Sequence, residues 1–264
     1  MRAIHACRVL ALALGIGLAA IGSAVAQNRA TNNPITYFYG DPKPERLVGF
    51  LDGYVKNPAD WAAYPPLVGF FAVTFRRFPD WIDRLLPTRF DAKTAETVAA
   101  AFRLSGLPPM AQTLRSQLAD AGQDPTLRAQ LANLPTRLEE LRIVTATHLD
   151  ILWGAFFASG DPQYVRMILD FYARTADRSH ETAIDITKLT VALTGGPKET
   201  FTEMRAKYDD ATLRELIYAA TAQWALISNG RQHPIVDTTV RTFIGEHKDS
   251  PAARGLAALN EKRN

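Results

Sequence analysis

The chain has 264 residues, 47% of them hydrophobic and 22% charged, with 30 Lys and Arg against 27 Asp and Glu. That mixture supplies apolar material for a domain-sized core. Arg2 and Arg8 fall in the first 26 residues, so the remainder carries 28 basic and 27 acidic side chains, a balance with no basic stripe for nucleic acid.

The first 26 residues read as an export signal. Arg2 and Arg8 form a positive start, residues 9–20 are apolar, and Ala24-Val25-Ala26 is a small-x-small pattern ahead of a cut before Gln27. An uncleaved anchor is the competing reading. The apolar run falls short of the roughly 20 residues a span requires, and Gly15 and Gly17 loosen it. Cleavage after Ala26 predicts a periplasmic or secreted protein. The only cysteine, Cys7, lies in this segment, so the chain from Gln27 has no thiol for a disulfide, a thiolate metal site or cysteine catalysis.

Residues 27–44 are polar and read as a flexible N-terminal arm, and 45–264 as a single all-α domain. A first helix is expected over 45–56, with Leu47, Val48, Leu51 and Val55 on one face, ended by Asn57-Pro58. The most hydrophobic stretch, 61–86, is too short to cross a bilayer. Its aromatics beside Arg76 and Arg77 would suit a membrane surface, but a buried helix ended by Phe78-Pro79 is the favoured reading. A short helix follows over 80–86. Asp91 caps another that ends at Gly106. Pro108-Pro109 opens one to Gly122, and Asp124-Pro125 one to about residue 134. Thr136-x-x-Glu139 matches a capping box and predicts a run that continues, with a bend, into the next helix.

That next helix, with Leu149, Ile151, Leu152, Trp153, Phe156 and Phe157, is apolar on nearly every side and is expected at the centre of the core. Ser159-Gly160-Asp161-Pro162 ends it: Gly takes the left-handed turn, Asp caps and Pro fits a first helical turn. Val165, Ile168, Leu169 and Tyr172 then mark one face of a second helix. Asp177 or Ser179 caps a helix to about Thr194, stopped by Gly195-Gly196-Pro197. A helix over 198–208 follows. Asp210 caps the cleanest amphipathic helix, with Leu213, Leu216, Ile217, Ala220, Trp224 and Ile227 as its stripe. Asn229-Gly230 ends it. Pro234 opens a helix to about Glu246, and Ser250-Pro251 a last one to Asn260. Alternating strand patterns and two-residue hairpins are missing, so the expected fold is all-α, built of stacked antiparallel helix pairs, solenoid-like or irregular.

Pro125, Pro162, Pro197 and Pro234 recur at intervals of 37, 35 and 37 residues, each with a glycine just upstream. Trp153 and Trp224 each precede such a turn. Phe156, Gly160-Asp161 and Val165 form a small-turn-small skeleton. On these features residues 118–245 loosely resemble tetratricopeptide-type helical-hairpin repeats. Trp153 departs from that pattern, standing where the family prefers Gly or Ala. The resemblance implies a stacked array with a groove for a protein or peptide partner.

Candidate site residues are few. His148 and Asp150 sit on the central apolar helix, where burial would perturb both. At two residues apart they point to different sides of a helix, so single structural hydrogen bonds are expected of each. His180-Glu181 begins like a zinc motif, but Ile184 stands at the second ligand position. No phosphate loop and no Gly-x-Ser-x-Gly elbow occurs. Arg231 and His233, with Gln232, lie in a polar turn beside the Trp224 helix, the kind of place where binding residues gather. The binding candidates are therefore Trp153, His148, Asp150, Trp224, Arg231 and His233, with no catalytic, cofactor or metal residues assigned. The expected function is an exported, non-catalytic scaffold for a protein or peptide. The alternatives are a binder of an apolar small molecule or lipid in an aromatic pocket near Phe70, Phe71, Trp153, Phe156 and Phe157, and an enzyme using His148 or Asp150.

Overall fold

The computed structural model describes residues 34–56, 64–107 and 133–261. The export segment, the helix expected from Pro108-Pro109 to Gly122, the helix expected from Asp124-Pro125 up to residue 132, and Asn57-Pro58 lie outside them. The fold is all-α, of stacked helix pairs. Among the described residues no β-strand forms, and a lone bridge joins Ser105 and Arg137. No described helix is long and apolar enough to cross a membrane.

The helices are α1 (Phe50–Lys56), α2 (Tyr64–Arg77), α3 (Ile82–Leu85), α4 (Ala92–Leu104), α5 (Ala146–Ser159), α6 (Pro162–Ala176), α7 (His180–Leu193), α8 (Glu199–Lys207), α9 (Asp210–Gly230), α10 (Pro234–Glu246) and α11 (Pro251–Glu261). The helices fall in two compact units. Among the described residues, one comprises those up to Arg142 together with Asp150–Asp161, the other Ile143–Leu149 and those from Pro162.

In the first unit, α2 lies against α4, and Phe75 stacks on Phe102 with ring centroids 4.6 Å apart. The membrane-surface reading of α2 gives way to burial, since Tyr64 and the nine successive residues from Leu67 to Phe75 are buried. Asp91 caps α4 by accepting the Thr94 N–H at 2.8 Å, and Gly106 closes it at φ 70°. Six successive positions of α5, Ile151 to Phe156, are buried, as its all-round apolar character predicts. Gly69 and Gly154 let α2 and α5 cross at backbone contact. A Cβ on Gly69 would meet the Ile151 carbonyl oxygen at 1.7 Å, and one on Gly154 the Pro66 carbonyl oxygen at 1.8 Å.

Two expectations change here. From Pro34 onward the N-terminal arm is anchored rather than flexible: Phe38 is buried and meets Phe70 edge-on at 5.2 Å, and Tyr39 lies 5.4 Å from Phe156. Its scattered aromatics find places on the core. The Thr136/Glu139 capping box does not form. Arg137 is extended, a short 3-10 turn covers Leu138–Glu140, and Glu139 instead pairs with Arg76 at 2.8 Å. Leu141 and Ile143 are buried while Arg142 and Val144 are exposed, an alternation of period two that suits extended chain and not helix. The helix expected over 45–56 is also broken: a 3-10 turn spans Pro44–Leu47, and Gly49, at φ 74°, precedes α1.

In the second unit α9 is central, packed against α6, α7, α10 and α11. The caps follow the sequence closely. Ser179 accepts the Thr182 N–H at 3.0 Å, and Asp209, one residue before the expected Asp210, accepts those of Ala211 and Thr212 at 2.9 Å. Asp177 takes a different duty, accepting the Ala252 N–H at 2.8 Å at the start of α11. The buried face of α9 carries Leu213, Leu216, Ala220 and Ile227 but centres on Gln223, which is fully buried; Trp224 is only half-buried. Gln223 Nε2 donates to the Tyr172 hydroxyl at 3.0 Å and to Thr187 Oγ1 at 3.3 Å, and its Oε1 accepts from Thr190 at 2.6 Å. Tyr172 in turn donates to the Ala252 carbonyl at 3.1 Å. Every polar group of this cluster is satisfied, which is the condition for burying it at tolerable cost. Its desolvation pushes the Tyr172 phenol well above the usual range.

Helix α8 buries only Met204. It is tied down by Lys207, which bridges Asp185 at 2.5 Å and Glu181, and by Tyr208, whose hydroxyl donates to Asp185 at 2.7 Å. Burial pushes the Asp185 carboxyl up, but the hydrogen bonds from Lys207 and Tyr208 outweigh it and hold the group below the usual carboxylate range.

Candidate functional site

The turn between α9 and α10 sets the geometry of an open recess in the second unit. Asn229 carbonyl oxygen accepts the N–H groups of Gln232 and His233 at 3.0 and 2.8 Å, folding the chain back. His233 is fully buried, and its own carbonyl accepts from Val236 and Asp237 at 2.9 and 3.1 Å, with Pro234 at the first helical position. Val236 and Val240 then anchor α10 inward. The adjoining stripe of α10, with Ile235, Thr238, Thr242 and Phe243, is left beside α6.

Between these helices lies an open groove of about 630 Å³. Its apolar floor is Leu169, Ile235 and Phe243; its walls carry Arg166 and Asp170 from α6 and Thr238, Thr242, Glu246 and His247 from the α10 side. The His247 ring leans on Phe243 with centroids 4.7 Å apart. Arg166, Asp170 and Glu246 are exposed and make no ion pair among the described residues. An apolar floor with polar, unengaged walls has the make-up of a ligand or peptide groove. A smaller recess of about 240 Å³ is lined by Leu226, Arg231, Asp237, Arg241 and Asn260, and there Arg241 is held by Asp237 at 2.7 Å.

The six sequence candidates fall in both units, and of them only Arg231 lines either recess. Arg231 lines the smaller recess. Trp224 is half-buried and lines neither recess. His233 is core: burial pulls its imidazole down to about 4, so it is neutral at neutral pH. His148 Nδ1 accepts the Val144 N–H at 3.2 Å, a local bond that steadies the start of α5.

Trp153 is buried and stacks on Phe157 at 6.3 Å; its indole N–H has no hydrogen-bond partner among the described residues. Asp150 lies one turn earlier. Desolvation raises its carboxyl to about 7, and no ion pair or hydrogen bond offsets this among the described residues. The expected structural hydrogen bond of Asp150 is therefore not seen. The aromatic group expected to line an apolar pocket is packed on itself: Phe70, Phe71 and Phe156 have no exposed surface, and Phe70 meets Phe71 at 5.4 Å.

The groove residues were missed because they occupy the second stripe of α10, polar but for Ile235 and Phe243, which reads as solvated surface. The signal that could have found them is Phe243, which continues the Val236/Val240 spacing by one turn yet stays half-buried beside a stripe of threonines. Among the described residues no cluster of three or more His, Asp or Glu is placed to hold a metal. No family model, curated protein or solved structure matches the chain, so the groove's own chemistry carries the functional reading.

Proposed function

We propose that the protein is an exported, non-catalytic interaction scaffold that holds a peptide segment of a partner in the α6/α10 groove. The observation that supports this most is the pairing of an apolar floor, Leu169, Ile235 and Phe243, with walls whose charged groups form no ion pair among the described residues. Export is supported by the Arg2/Arg8 start, the apolar run and Ala24-Val25-Ala26. The solenoid-type resemblance points the same way, toward a surface that receives a segment of another chain. The test is affinity capture from the exported fraction with the native protein and with Thr238→Trp, which places a large ring in the groove from an exposed wall position. A partner retained by the native protein and lost by the variant supports the reading. Equal retention by both removes the groove from it.

A further inference from the structure

We infer that the groove selects a basic amphipathic segment, one whose apolar side chains are flanked by Lys or Arg. This rests on the groove being the binding site. The walls hold two carboxylates, Asp170 and Glu246, against one guanidinium, Arg166. Glu246 also stands in the last turn of α10, where the helix carries partial negative charge, so the carboxylate and the helix end act in the same sense on an incoming cation.

Among the described residues neither carboxylate forms an ion pair. Asp170 follows Arg166 by four residues on α6, yet the two do not pair, and no described Lys or Arg lies within ion-pair distance of Glu246. The groove lining takes in α10 from Pro234 to Glu246, 13 residues, or about 20 Å at 1.5 Å per residue. That length suits three to four turns of a bound helix with anchors at i, i+3, i+4 and i+7. A basic segment would therefore bury its anchors on Leu169, Ile235 and Phe243 and bring its cations to Asp170 and Glu246. An acidic segment would meet two like charges for one opposite charge.

The test uses two fluorescent 14-residue probes with the same leucine face, one flanked by lysines and one by glutamates, in anisotropy titrations against the native protein. The lysine probe is expected to bind about tenfold more tightly than the glutamate probe at low salt, a preference that shrinks as salt is raised. In the double variant Asp170→Asn/Glu246→Gln the preference is expected to fall to about twofold or less. Both positions are exposed, so folding is not at stake. A preference that survives in the double variant, or failure of the lysine probe to bind, overturns the inference. Thr238→Trp separates the two levels. If it abolishes binding while the double variant keeps the preference, the groove reading stands and the charge inference falls. If it leaves binding intact, both fall.

Discussion

Gly69 and Gly154 face each other's helices at the α2/α5 crossing, each where a single added carbon would lie under 2 Å from a carbonyl oxygen of the other helix. Ala normally stabilises a helix interior by roughly 1 kcal/mol over Gly, so the sign of the effect identifies the crossing. Gly154→Ala is expected to destabilise by about 1–3 kcal/mol through overpacking. Gly245→Ala in α10, where an added carbon meets nothing within 4 Å, is expected to be neutral or stabilising. Denaturant midpoints of the two variants check this, and a stabilising Gly154→Ala would refute the tight crossing.

Asp150 gives stability a pH dependence of unusual sign. Its carboxyl titrates near 3.8 when unfolded and at about 7 in the fold. The unfolded chain therefore ionises first, and folding is opposed increasingly as pH rises from about 4 to 7. A shift of this size corresponds to at most about 4 kcal/mol, reduced by the partial exposure the side chain retains. Asp150→Asn is expected to be more stable than the native chain at pH 8 and closer to it at pH 4. An equal difference at both pH values would show that the carboxyl is not desolvated.

His233 acts in the opposite direction. Burial lowers its imidazole from 6.5 to about 4, so the folded form stays neutral while the unfolded chain takes up a proton. Its contribution is complete above about pH 6.5 and is lost as pH falls toward 4, by up to about 3 kcal/mol. His233→Gln, which does not titrate, is expected to flatten the difference in unfolding midpoint between pH 7.5 and pH 4.5. An unchanged slope would place the titration elsewhere.

Gln223 accepts from Thr190 on one side and donates to Tyr172 and Thr187 on the other. Gln223→Leu leaves each neighbour another partner and is expected to cost about 1–2 kcal/mol. Gln223→Glu is expected to cost more at pH 7, because a carboxylate oxygen would face two hydroxyl oxygens whose protons are directed to Ala252 and Ala183. Calorimetry at pH 7 that finds the Glu variant no worse than the Leu variant would refute these donor assignments.

Helix positions were legible because capping and punctuation are local chemistry. Asp91, Ser179, Pro162, Pro234 and the glycines at 106, 160 and 195 act within a turn of their own position. Thr136 and Glu139 misled because a capping box competes with tertiary contacts, here the burial of Leu138 and the Arg76 ion pair. The candidate site was illegible for a related reason. A groove is made by what two helices leave uncovered, and neither Arg166 nor Thr238 has a sequence neighbour that announces the other. Trp153 and His233 drew attention as rare residues in apolar or polar runs, and both proved to be core.

The cluster around Gln223 also sets an order of events. Tyr172 and Ala252 are 80 residues apart, and Gly255 packs its bare Cα against the Tyr172 hydroxyl, where an added carbon would come within 2.7 Å. During synthesis the chain through α10 emerges with this side of Gln223 and Tyr172 still open to water. Only when α11 arrives does the site close. Helix α11 thus supplies the last wall of a polar cluster that the preceding helices leave incomplete, and so ties the end of the described chain to α6 and α9.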